Sequence, residues 1–274
     1  MQIGKCAVIE GWPVEVSLVS QMGGVPLIDD NVNFSGIATL ACAVRRRLCQ
    51  CDSDNLREFL DPVRAYACYQ MAYSQLGLGP QRQSDDLTAE QALAVQAACQ
   101  EILALTPQWR PAFAIPLRWR RVSEDIASST NPRVPQTIFF GVRAFANPVL
   151  LQEHIVHELS HTWLGMIGEV SPLTYASHQN YVLPSGTPNK EYWNLLFALS
   201  YAISAIRFYK ARQRAGRTKA DEHARVQYLR SYSRGCIAQA RAEPEKLCPP
   251  GHDILESCRR YLDVDELALG VADA

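Results

Sequence analysis

Asn147 to Ile167 constrains the fold more than any other stretch of the chain. Leu150, Leu151, Ile155, Val156, Leu159, Trp163, Leu164 and Ile167 surround it with apolar side chains on nearly every side of a helix. A helix apolar all round is a buried helix. Asn147-Pro148 supplies its start, an N-cap residue type followed by proline at the first helical position. Inside this run lies His157-Glu158-Leu159-Ser160-His161, an HExxH pattern. Histidine and glutamate are costly in such a place unless they are paired or bind a metal. Histidines four apart lie one turn from each other on one helix face, so both imidazoles can reach one ion, and the glutamate can approach the same open coordination face. The run therefore predicts a metal site with His157 and His161 as ligands and Glu158 as the catalytic carboxylate.

Two histidines need a third ligand. Zinc hydrolases take His, Glu or Asp there, keep one position for water, and use the glutamate as general base. Non-haem iron(II) also takes two histidines plus one more side chain, leaving positions for a cosubstrate and O2. HExxH does not separate these. The longer pattern HExxHxxGxxH is absent: Gly165 and Gly168 occur, but no histidine follows at the required place. A third ligand on the next antiparallel helix would fall near 195–200, which reads Leu195, Leu196, Phe197, Ala198, Leu199, Ser200 and holds no strong ligand. Glu191 comes about one and a half turns too early. His178, in the loop after the motif helix, is the histidine expected to complete the metal site, with Glu191 and His223 as the other candidates. His154 shares the face of His157 and His161 but stands two turns from His161, roughly 10 Å along the axis, so it reads as a supporting or substrate-facing group.

The remaining sequence sets bounds. A chain of 274 residues can bury a large core. A formal net charge of −1 gives no electrostatic case for nucleic acid or an anionic membrane. No segment reaches the length of a membrane span, and the N-terminus lacks the continuous apolar stretch of a signal peptide, so a cytoplasmic location is expected. The nine cysteines are odd in number and irregularly spaced, which predicts reduced thiols; a second metal site at the CxC of Cys49 and Cys51 is a weaker alternative. Oligomeric state is not legible.

Along the chain, residues 5–35 read as short strands and turns, with Val14, Val16 and Leu18 alternating and Gly23-Gly24 as a turn. Helices are predicted near 36–48 and 54–76, with Pro62 starting or kinking the second and Gly77 stopping it. Thr88-Ala89-Glu90-Gln91 reads as a capping box for a helix to about Leu105, ended by Pro107. Alternation over 111–122 predicts a strand with one wet face, and Gln136 to Val142 a second strand. A loop from Glu169 to Lys190 follows the motif helix. Thr187-Pro188 then opens a helix from Asn189 to about Arg214, with a charged helix over 218–243 and a last one from Gly251 to Tyr261. The expected fold is mainly α with a small β element (α+β), one domain over 1–274, in which 88–265 form the core and 1–87 a less defined N-terminal portion.

Several of these elements occur together in one known family. Phe139-Phe140-Gly141-Val142 and Leu150 to His161 follow the order of a small-residue strand, an apolar helix start and an HE(F/L)xH motif. Tyr181-Val182-Leu183-Pro184 is similar to an aromatic-rich YAPW loop, and Lys190 falls where an arginine is common. Leu195-Leu196 through Phe208-Tyr209 matches the next helix, and Lys246-Leu247-Cys248-Pro249-Pro250-Gly251 a terminal LTPLG turn. On these residues the chain resembles the HExxH-type, iron(II)- and 2-oxoglutarate-dependent peptide β-hydroxylases of natural-product biosynthesis, over roughly 88–265. The resemblance implies a zincin-like HExxH helix packed against a following antiparallel helix. It also implies Fe(II) at His157 and His161, 2-oxoglutarate anchored by Lys190, and hydroxylation of a peptide or amino-acid-type substrate. Two departures stand out. Phe197 occupies the place of the histidine in the family's LLHG run, and Ser185-Gly186 replaces the Trp-Arg after the loop proline. The alternatives are a zinc metallopeptidase or hydrolase with Glu158 as base, and a non-catalytic binding protein with a relic site.

Overall fold

The structure is a computed structural model and describes residues 17–73, 83–175 and 180–272. In chain order the helices and strands are α1 (Leu18–Gln21), α2 (Phe34–Leu48), α3 (Pro62–Tyr73), β1 (Asp85–Asp86), α4 (Ala89–Leu105), β2 (Arg118–Arg121), β3 (Ser128–Asn131), β4 (Val134–Phe140), α5 (Pro148–Val170), α6 (Trp193–Arg214), α7 (Ala220–Ala242) and α8 (Pro249–Ala272). Among the described residues helix makes up 62% and strand 9%, so the fold is mainly α with a small sheet, as predicted. The described residues group into two compact units, those of Phe34–Met166 and those of Met1–Asn33 with Ile167–Ala274.

In the Phe34–Met166 unit, local chemistry sets the helix ends. Asp61 Oδ1 accepts from the N–H groups of Val63 and Arg64 at 3.0 and 2.9 Å, so Pro62 starts α3 as an N1 proline. The predicted capping box at α4 is present: Gln91 N donates to Thr88 Oγ1 at 3.2 Å, and Thr88 N to Gln91 Oε1 at 3.1 Å. α4 stops at Leu105, and Pro107 opens a 3-10 turn through Phe113. That turn, which contains Pro111, takes the first part of the stretch predicted as a strand, so only 118–121 extends.

The sheet order is β1-β2-β4-β3, with β2 and β4 parallel and the two edge strands antiparallel to their neighbours. β4 is buried at every position, Gln136 and Thr137 included, as a strand covered on both faces would be. It starts at Val134, two residues before the predicted boundary, and ends at Phe140. Gln136 breaks its register. It sits at φ 53° beside an irregularity in the β3 pairing, and its buried amide is fully used. Oε1 accepts from Arg45 Nη1 at 2.5 Å, and Nε2 donates to Leu60 O and Pro116 O at 2.8 and 2.7 Å. One polar side chain thus ties β4 to α2 and to the turn before α3. β3 was not predicted; its sequence Ser-Ser-Thr-Asn has no apolar alternation.

In the other unit, α6 is buried continuously from Leu195 to Ile206 and packs with α7 and α8. Buried ion pairs join these helices. Arg212 grips Glu222 at 3.0 and 2.9 Å, and Asp265 takes Arg230 at 2.9 and 2.7 Å together with Lys210. The first turn of α8 docks through Gly251: a Cβ there would lie 2.1 Å from Leu173 O. Several boundaries differ from the sequence-based ones. α6 begins at Trp193 rather than Asn189, because Asn189 takes φ 58°, a left-handed conformation that cannot open a helix. α8 begins at Pro249 and runs past Tyr261 to Ala272. Leu18 starts a short helix instead of a strand, capped by Ser17, whereas Gly23 and Gly24 do form the predicted turn. Val14, Val16 and Gly77 lie outside the described residues.

Candidate metal centre

α5 begins as its sequence predicts. Asn147 Oδ1 accepts from Val149 N at 2.8 Å, and Leu151 N donates to Asn147 O at 2.9 Å. Its apolar residues are then buried: Leu151, Ile155, Val156, Leu159, Trp163 and Leu164 are all at most 3% exposed. Trp163 anchors the helix, meeting Phe34 edge to face at 4.9 Å and donating from Nε1 to Ala112 O at 3.1 Å.

Within this buried helix one stripe stays half-open. It consists of His154, His157, His161 and Gly165, the three-and-four spacing of a single helix face. A Cβ placed on Gly165 would meet nothing within 4 Å, so the stripe continues into open space. The two motif imidazoles stand with ring centroids 4.4 Å apart and planes at 84°. They are 27% and 20% exposed.

Glu158 takes a different position. Its side chain is 2% exposed. Oε1 accepts from Ser128 Oγ at 2.7 Å, on edge strand β3. Oε2 is buried and accepts no hydrogen bond among the described residues. The carboxylate lies 4.0 Å from His157 Nδ1 and 3.8 Å from His161 Nδ1, beyond hydrogen-bond range and within reach of charge. Ser128 therefore fixes the carboxylate behind the two imidazoles. Nothing in the sequence marked Ser128; it sits in the polar strand that periodicity passes over.

The donor set fits a metal in part. Two half-open imidazoles on one face suit iron(II) or zinc. Among the described residues, no three His, Cys, Asp or Glu side chains gather as a metal would need. His178, the expected third ligand, lies outside the described residues. Glu191 is exposed, and its Oε2 accepts from Trp193 Nε1 at 2.6 Å. His223 is exposed on α7, next to the Glu222 that Arg212 holds. Lys190 is half-buried, and its backbone exchanges two hydrogen bonds with Tyr181 at 2.7 and 3.0 Å. Phe197 is buried and packs edge to face on Trp193 at 4.8 Å.

Compared with known protein families and with curated proteins, the chain matches no family model and no curated relative. No helix among the described residues is long and apolar enough to cross a membrane.

Proposed function

We propose that the chain is a mononuclear non-haem iron(II) oxygenase with 2-oxoglutarate as cosubstrate, hydroxylating a C–H bond of a peptide or amino-acid-derived substrate. The observation that carries it is the half-open histidine stripe on an otherwise buried helix. Leaving one line of α5 accessible sacrifices apolar burial, and a bound ion with its substrate offsets that loss. The choice of iron and 2-oxoglutarate rests on the resemblance set out above, and the zincin-like fold belongs to the same proposal.

When bound, iron and its 2-oxo acid would activate O2, the oxidant, for C–H hydroxylation. His157 and His161 would hold the ion through one ring nitrogen each. Glu158, pinned by Ser128, lies close behind both rings and would help to orient them as donors. The resemblance alone assigns Lys190 to a carboxylate of the cosubstrate, as a cation that would pair with it. His154 faces the substrate one turn before His157.

A zinc hydrolase is the second function this site could serve, and one observation favours it. Glu158 Oε2 is buried with no hydrogen-bond donor, and a metal-polarised water would supply one to a general base.

The deciding experiment is anaerobic loading with iron(II), then 2-oxoglutarate and O2, with succinate release measured against a zinc-loaded control. Succinate that disappears in His157→Ala supports the oxygenase. Tightly held zinc with no succinate would sink it in favour of hydrolysis. Glu158→Gln separates the two again: it lowers hydrolysis by about 10²–10⁴-fold and leaves an oxygenase partly active.

A further inference from the structure

The end of α2 carries two cysteines to one place. Cys51 N donates to Arg46 O and Gln50 N to Arg47 O, each at 3.2 Å, with Gln50 at φ 50°. This pair of bonds around a left-handed residue is a Schellman closure. It folds Cys51 back over the helix end, next to Cys49. α3 brings Cys68 to the same point. Cys49 and Cys68 pack in one buried cluster, at 8% and 1% exposure. Cys51 packs against the same cluster and is only partly buried. Arg64 Nη2 donates to Cys51 Sγ at 3.4 Å, and its guanidinium has Cys51, Cys68 and Cys49 as charge neighbours. Arg45 places a second positive charge near Cys68. Cys42 lies in the same cluster, so four sulfurs gather beside two guanidiniums; an apolar core has no need of that arrangement, whereas thiolate chemistry uses it.

We propose that Cys49, Cys51 and Cys68 form a thiol–disulfide modification site that takes a low-molecular-weight disulfide at Cys51 and holds the oxidation as a Cys49–Cys68 bond. The Cys51 thiolate attacks the small disulfide, whose S–S bond breaks and releases one small thiol. Cys49 then displaces the second small thiol by attacking the Cys51 sulfur. Cys68 exchanges onto Cys49, and Cys51 leaves, taking up the Cys68 proton. In sum the protein loses two thiol protons and two electrons, and the small disulfide is reduced to two thiols. The order follows from access: Cys51 is partly exposed, whereas Cys49 and Cys68 are buried. Burial above all, then the hydrogen bond and charge of Cys49, pushes the Cys68 thiol up to about 12 against the opposing pull of Arg64 and Arg45. Cys68 therefore acts last. A bond between neighbours in a CxC closes a much smaller ring than one joining α2 to α3, so the final exchange relieves strain.

The site is independent of the metal centre, and its test needs no activity. The folded full chain is incubated with oxidised glutathione, remaining thiols are blocked with N-ethylmaleimide, and unreduced peptides are mapped by mass spectrometry. The expected result is a Cys49–Cys68 bond and the loss of two blockable thiols. Cys51→Ser, at a partly exposed position, slows closure by about tenfold or more. Any of three results would overturn the proposal: no bond or one that stops at Cys49–Cys51, closure in Cys51→Ser at the wild-type rate, or a bond that forms only after mild denaturation.

Discussion

Ser128 is the residue on which the candidate metal centre turns. Its hydroxyl is the hydrogen bond that the described residues give to the Glu158 carboxylate, and a buried carboxylate that loses its donor keeps the whole desolvation cost. Ser128→Ala is expected to destabilise the fold by about 1.5–3 kcal/mol and, if the site binds metal, to weaken binding by about 10–100-fold. Urea unfolding and calorimetric titration with zinc or iron(II) would read both. A stable variant with unchanged metal affinity would mean that Glu158 is positioned by something other than β3.

Among the elements, α8 gives the sharpest test. Its first turn lies against the backbone of the segment after α5. Cys248 N donates to Leu173 O at 3.1 Å, and Tyr175 N to Lys246 O at 2.9 Å. That approach exists because Gly251 has no Cβ to meet Leu173 O. Gly251→Ala should cost about 1–3 kcal/mol through overpacking, read as a lower urea midpoint. An unchanged midpoint would show that α8 docks loosely. The same contact gives a physical reason for glycine in the Lys246–Gly251 turn that carried part of the family resemblance.

For the whole molecule the expectation concerns alkaline pH. Tyr192 is pushed up to about 12, by burial first and then by Glu243 and Tyr181, with Lys246 opposing. Tyr232 is also pushed up to about 12, by burial first and then by Cys236. An unfolded tyrosine ionises near 10, so between about 10 and 12 the unfolded chain gives up protons that the folded chain keeps. Their contribution to stability is complete below pH 10 and is lost as pH rises toward 12. Lys246 acts in the same direction: its hydrogen bonds with Glu243 and then Tyr181 hold its pKa up. Glu243 acts at the acid end. The Lys246 and Tyr181 hydrogen bonds hold it below the carboxylate range, so its share is lost as pH falls through that lowered value. Urea midpoints across pH should be flat at neutrality and drop above about 10. A midpoint that holds to pH 12 would contradict these buried phenols.

What the sequence settled by itself was local. Asn147-Pro148, Asp61-Pro62 and the Thr88–Gln91 box carry their own capping bonds within a few residues, so short-range chemistry suffices to place those helix starts. The pairing of His157 with His161 is equally local, because the pitch of α5 alone sets it. Only the tertiary structure decided the rest. β3 has no apolar period, and its strand state depends on β4 beside it. Ser128 therefore became the partner of Glu158 through sheet register, across a long separation in sequence. The thiol cluster likewise needed α3 to return Cys68 to the end of α2. Helix pitch and caps are written in neighbouring residues, whereas register and convergence are fixed by which distant surfaces bury each other.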